Sequence, residues 1–314
     1  MSRFVHLRAH SAYSLLEGAV KLDRLVELAA SAGMPALGLC DRGNLFGALE
    51  FAEKAVAKGI QPIIGLTLPV LLDDDDASTR GMGRKEAIGQ IALIAATEIG
   101  YRNLMLLSST LFDRSDDSAE RALPLPILTD HREGLIALTG GSEGPVNIAC
   151  VSGHPDRAAT RLSVLQEVYG DRLFIELQRH GRSDENIAEP VLLDLAYDRS
   201  LPIVATNQVF FEADTAFEAH DALRCIAMGR AVSDPERPQL TPEYGFKSPS
   251  DMAALFHDLP EAVAASIDIS RSCLFRPVTR APSGSRRPPR SRRERRSRWC
   301  SRSSTCRTRS STPT

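Results

Sequence analysis

The sequence predicts an α/β protein built as a distorted seven-stranded (βα) barrel of TIM type. Three observations carry that expectation. Short apolar runs alternate with amphipathic stretches up to about residue 270. Glycine and proline punctuate the joints between them. The number of such units, seven, suits a closed barrel better than a small open sheet. An open doubly wound sheet stands as the alternative.

The candidate strands are residues 4–7, 36–40, 62–66, 91–95, 135–139, 173–177 and 202–206. Their near-continuous apolar character points to a parallel sheet covered on both faces. Between them, Leu22, Leu25, Val26, Leu28 and Ala29 recur at helical spacing, as do apolar positions within 45–57, 158–168 and 191–197. Further helices are expected after Ala216 and over 246–259 and 260–273. Ala32-Gly33-Met34-Pro35 closes a helix ahead of a strand, and Lys58-Gly59-Ile60-Gln61-Pro62 repeats the device. In a barrel, the strand C-termini and the loops that follow form the active face. Asp73 to Asp76 and Ser115 to Glu120 read as solvated connections.

Hydrophobic residues make up 43% of the 314, an ordinary globular share. No apolar run approaches the roughly 20 residues that span a bilayer. The opening MSRFVHLRAHSAYS has no apolar core of a secretory signal. A soluble, cytoplasmic protein with no membrane contact is the expectation. The six cysteines are scattered without a CxxC pair, which argues for free thiols, with Cys40 and Cys225 packed in apolar runs.

The net charge of −2 conceals two unlike parts. Residues 275–314 hold thirteen Arg and one Glu, or +12, leaving 25 basic and 39 acidic residues, or −14, in residues 1–274. So acidic a body is a poor broad phosphate-binding surface. The segment 275–314 has no apolar periodicity and is expected to be a disordered Arg/Ser/Pro-rich tail beside a domain of residues 1–274. Two readings of the tail stand: a nucleic-acid-binding arm, or a shifted reading frame. The 33 Arg against 5 Lys, a mark of a GC-rich gene, favour the second.

The chemistry-bearing segment is Val5-His6-Leu7-Arg8-Ala9-His10-Ser11. On a strand, residues 6, 8 and 10 share a face. That spacing suits imidazoles gathered around a metal, or equally a hydrogen-bonded histidine pair at a barrel mouth.

The runs FVHLRAHSAYSLLEGA, GMPALGLCDRGNLFGALEF and GIQPIIG, followed by GYRNLMLLSS, GLIALTGG, PIVATNQVFF and AHDALRCIAMGR, widen the picture. In order and spacing they resemble the opening of bacterial DNA polymerase III alpha subunits, over residues 3–275. That part of the family is the PHP domain, a distorted seven-stranded barrel that precedes the polymerase palm. The resemblance implies a place in DNA replication and a family activity of DNA-directed DNA polymerase, a nucleotidyltransferase that uses Mg²⁺. It also implies partners: the proofreading 3'-5' exonuclease subunit, other holoenzyme subunits, and DNA in the full-length protein. The palm lies beyond the matched residues, so the chain is expected to be an N-terminal fragment that braces the palm and docks the exonuclease. The alternative is a stand-alone PHP metal-dependent phosphoesterase.

Metal-binding PHP relatives hold Zn²⁺ or Mn²⁺, and their ligand positions match poorly here. The family's H-x-H pair falls on Arg8 and His10, and its acidic residue in the next loop on Glu17. The histidine after Asp41 is Arg42, the acid two past Gly65 is Thr67, and a strand-opening histidine is Gln90. A Cys or His falls near Gly141 and Ser142, and a late D-x-H pair reads Gln208 and Phe210. Only His10 and Glu17 match. The resemblance therefore implies no catalytic residue, no metal ligand set and no cofactor. A vestigial pocket of Arg8, His10, Glu17, Asp41, Arg42, Glu176 and His180 is expected instead. In it an Arg pairs with Glu17 or Asp41, and Glu176 with His180 forms a structural pair at the rim. His220 reads as a packing or capping residue, and His131, His154 and His257 are assigned no role.

Overall fold

A computed structural model describes residues 3–72, 89–113 and 122–279, and those up to Val278 belong to one unit. Its sheet holds β1 (Ala36–Leu39), β2 (Gln61–Leu71), β3 (Gly89–Ala95), β4 (Leu123–Pro124), β5 (Leu135–Leu138), β6 (Leu173–Leu177) and β7 (Ile203–Ala205). The spatial order is β1-β2-β3-β5-β6-β7, with β4 beside β2. The acidic run at 73–76, the connection at 115–120, Cys300, Cys306 and the Arg-rich tail from residue 280 lie outside the described residues.

The α/β barrel architecture holds, with two corrections to its detail. The first concerns direction. β3 runs antiparallel to both β2 and β5, while the other pairings are parallel. Residues 91–95 are buried on both faces, and an apolar run of that kind carries no signal of strand direction. The reversal has a use: the start of β3, with Gln90, comes to the end of the sheet where the parallel strands finish.

The second correction is that residues 4–7 are not a strand. The extended segment 6–10 instead spans the gap between β1 and the chain after β7, through single bridges from Ala9 to Leu39 and to Val209. Gly38 N–H donates to the His6 carbonyl at 2.6 Å, whereas the Ala9 N–H donates to Gly38 C=O at 3.2 Å. A regular parallel ladder in that register would bring the Leu7 carbonyl to Gly38, so one extra residue is inserted, a bulge. The burial pattern agrees. Val5 and Leu7 lie in the inner core, yet Phe4 and Ala9 both lie in the outer one. The phase of alternation flips between Leu7 and Ala9. A two-residue strand at β4, containing a proline, offered no periodicity to read.

The helices are α1 (Leu22–Ser31), α2 (Ala48–Ala57), α3 (Glu98–Asp113), α4 (Leu125–Asp130), α5 (Pro145–Val151), α6 (Pro155–Tyr169), α7 (Ser183–Asp198), α8 (Phe217–Met228), α9 (Pro249–Leu255) and α10 (Pro260–Ser272). α5, α6, α9 and α10 each open on proline, whose missing N–H costs nothing at the first helical position. Ser248 caps α9 in a capping box with Asp251. α10 plugs the inner core: Ile269 and Cys273 join Val5, Cys40, Ile63, Ile94 and Val204 there. Cys40, Cys150, Cys225 and Cys273 are buried free thiols, as the scattered spacing predicts. Among the described residues no helix is long and apolar enough to cross a membrane.

Gly38 is the position where the bulge is most exposed to test. A Cβ there would stand 2.7 Å from the Leu7 Cα and carbonyl oxygen, both backbone atoms that cannot step aside. Gly38→Ala is expected to destabilise the protein by at least the ~1–3 kcal/mol of overpacking. Urea unfolding measures it, and an unchanged midpoint would contradict the bulge.

Candidate functional site

The parallel strands end together, and their last residues build a polar floor. Arg8, turned inward by the bulge, reaches Glu176 on β6. Its Nη1 donates to the two carboxylate oxygens at 3.1 and 2.8 Å, and Nη2 lies 3.4 Å from the Thr67 hydroxyl on β2. Both side chains are fully buried. Glu176 also accepts the Gly140 N–H at 3.0 Å, Gln178 Nε2 at 2.8 Å and the Thr206 hydroxyl. A buried carboxylate is tolerated when its charge is matched and its lone pairs are filled, as here.

Arg42 follows β1 and forms a second layer. Its Nε faces Glu17, its Nη2 donates to both Glu143 oxygens at 2.8 Å, and its Nη1 donates to Gln90 at 2.8 Å. The guanidinium sits 5.7 Å over the Phe210 ring. Burial alone would lower its pKa, but Glu143 and Glu17 outweigh that and raise it. Burial would likewise raise Glu143, and Arg42 instead holds it below the usual carboxylate range.

Of the two partners expected for an arginine, Glu17 is one and Asp41 is not. Asp41 accepts the Ser11 N–H at 2.7 Å, the Ser11 hydroxyl at 2.7 Å and the Ser14 hydroxyl at 2.6 Å. Neighbours along an extended chain project to opposite sides, so Asp41 and Arg42 cannot share one partner set. Burial pushes the Asp41 carboxyl above its ordinary value despite those donors.

The histidines divide three ways. His10 stacks on Phe210 at 4.6 Å, with Nδ1 3.5 Å from the Ser14 hydroxyl and Nε2 without a partner. Burial, then the Arg42 and Arg8 charges, hold its pKa well below the usual imidazole value. His180 does not pair with Glu176 as expected. Its Nδ1 is 2.7 Å from Glu185, its Nε2 accepts the Gln208 N–H at 3.3 Å, and its ring stacks on Tyr244 at 3.8 Å. That network assigns the proton to Nδ1. His6 does not share the face of Arg8 and His10, because the bulge intervenes. It packs against Phe4 and Phe246, with Nε2 donating to the Lys247 carbonyl at 2.8 Å. His220 is a packing residue whose Nε2 donates to the Glu17 carbonyl at 2.6 Å.

These residues do not fit a divalent metal ion. Two guanidinium groups already supply positive charge among the carboxylates, and His180 has both nitrogens engaged. Among the described residues no three His, Cys, Asp or Glu side chains gather as ligands would. Above the floor lies a cavity of about 270 Å³, bordered by Glu17, Arg42, Glu143, Arg182 and Arg224. Arg182 is tied to Asp184 at 2.8 Å. Glu143, Gln178, Glu185 and Thr206 escaped the sequence reading. Glu143 does carry a signal, a lone acid in the Gly140-Gly141-Ser142-Glu143-Gly144 turn after a strand.

Residues 6–180 match the model of the PHP domain family. The DNA polymerase III subunit alpha of Caulobacter vibrioides is 45% identical over 284 residues, covering 89% of this chain and 24% of that protein. That of Escherichia coli K12 is 36% identical over 275 residues, covering 86% and 23%. The chain thus spans about a quarter of the length of these relatives. An amidohydrolase structure from Chromobacterium violaceum overlays at a TM-score of 0.42 with 14% identity, over 66% of this chain and 87% of that one.

Two outcomes follow, one from the floor and one from His6. Arg8→Met should cost about 3–5 kcal/mol, since it leaves Glu176 buried without a counter-charge. Adding Glu176→Gln should recover part of that loss in chemical denaturation, and a purely additive double variant would contradict the pairing. His6 is held at about 4 by burial. A base depressed in the folded state contributes stability above its unfolded value near 6.5, and that stability drains as pH falls toward about 4. The loss approaches ~3 kcal/mol. His6→Phe should flatten that part of the profile of thermal midpoint against pH.

Proposed function

The chain belongs to the PHP family, and on that premise we propose that it works in DNA replication as the PHP module of a DNA polymerase III alpha subunit. In this reading residues 1–274 act as a bracing and docking element and hydrolyse nothing themselves. DNA-directed polymerase activity would belong to the palm of a full-length subunit. The proofreading exonuclease subunit and other holoenzyme subunits would be its partners, and the cytoplasm its location.

The observation that carries the proposal is the filling of the strand-end pocket by Arg8 and Arg42. A phosphoesterase of this fold needs cations there to polarise a phosphoryl oxygen and to generate hydroxide. A guanidinium can neutralise a carboxylate but cannot lower the pKa of a bound water as a metal does. Held between Glu17, Glu143 and Gln90, Arg42 ties two loops to the start of β3 without a metal ion, which suits a scaffold.

The test is metal content and turnover of the purified protein. After dialysis against Mn²⁺ or Zn²⁺, elemental analysis should find no stoichiometric metal. Neither p-nitrophenyl phosphate nor a single-stranded oligonucleotide should be cleaved above the metal-free control. Stoichiometric metal with matching hydrolysis would overturn the proposal in favour of a phosphoesterase.

A further inference from the structure

At the opposite end of the barrel from the pocket, α10 packs where β2 begins, Gln61 Nε2 donating to the Ser270 and Cys273 carbonyls at 2.7 Å. The outer side of α9 and α10 there carries a groove of about 620 Å³, more than twice the volume of the mouth cavity. Its floor is apolar, made by Phe256, Val263 and Ile267. Its polar lining is two arginines, Arg3 and Arg271, with His257 and one acid, Asp268.

The charge around the groove is unbalanced by construction. Asp258, the nearest acid on the α9–α10 turn, is taken up by Arg179 through contacts of 2.7 and 2.8 Å. Asp268 meets Arg271 at 3.1 Å, but both are about two-thirds exposed, so the pair is weak and Arg271 remains available. Arg3 has no ion-pair partner among the described residues. Such a rim stands out in a body whose residues 1–274 hold 25 basic and 39 acidic side chains.

We propose that this groove docks a helix of a partner protein, one that presents apolar side chains flanked by carboxylates. A furrow beside two helices accepts side chains spaced at i and i+4, the usual mode of helix-in-groove recognition. The rim then pairs with the flanking acids and sets orientation and on-rate. Nucleic acid fits less well. Its phosphates would meet the acidic remainder of the body. Its bases would lack an open ring to stack on, because Phe256 is already covered by Arg179 at 4.6 Å. The assignment does not depend on what the mouth does.

Fluorescence anisotropy on the full chain tests this with three labelled probes. One is a helical peptide with leucines at i, i+4 and i+7 between glutamates, the second its lysine counterpart, and the third a single-stranded oligonucleotide. The glutamate peptide should bind at least about tenfold more tightly than the lysine one, and the difference should shrink with added salt. Ala264→Trp, a surface change that fills the groove, should abolish binding while the thermal midpoint stays put. Arg271→Glu should invert the preference between the peptides. Equal binding of both peptides, no binding of either, displacement by the oligonucleotide, or full binding by Ala264→Trp would each overturn the assignment.

Discussion

Arg8 and Glu176 lie in the interior of the sheet with no contact to water, joined by hydrogen bonds of 3.1 and 2.8 Å. Much of the architecture around them serves to fill the Glu176 carboxylate, while Arg8 Nε has no hydrogen-bond partner. A guanidinium and a carboxylate taken out of solvent each lose several kcal/mol of hydration, and mutual attraction offsets this only if the remaining lone pairs are filled. Gly140 donates from the turn after β5, Gln178 from just past β6 and Thr206 from just past β7. Three strand ends are thereby set against one carboxylate. The bulge at Leu7–Arg8 serves the same pair, because without the extra residue Arg8 would keep the outward phase of His6.

Arg42 repeats the logic nearer the surface with looser requirements. Its partners Glu17 and Glu143 are about 40% exposed, so water shares the work of solvating them. The reversed β3 matters here, since only a strand entering from that end can offer Gln90 from its first turn of pleat. The two arginines thus differ in kind. Arg8 is an internal structural cation, whereas Arg42 is a tie between loops that line a cavity.

Most of the fold was legible in the sequence because burial imposes pattern. The runs at 36, 62, 91, 135, 173 and 202 became β1, β2, β3, β5, β6 and β7 within a few residues of their expected bounds. What was not legible shares a cause. A bulge, the direction of β3 and the two-residue β4 change neither composition nor periodicity, only hydrogen-bond register. Among the seven residues expected to form a vestigial pocket, the contacts differ from the expected pairings in two places. Glu176 took Arg8 in place of His180, and Asp41 took two serines in place of an arginine. Pairing depends on which way adjacent side chains turn, and Asp41 and Arg42 turn apart. Glu143 and Glu185 were missed because a single acid in a turn or at a helix start resembles ordinary surface charge.

The crowding around Glu176 also constrains how such a sequence can change over generations. Losing Arg8 alone strands a negative charge among Gly140, Gln178 and Thr206. Losing Glu176 alone strands a positive one and leaves the Gly140 N–H without its acceptor. Either single step is expected to cost more stability than changing both residues together. The two positions are therefore coupled, each limiting what the other can become without loss of stability.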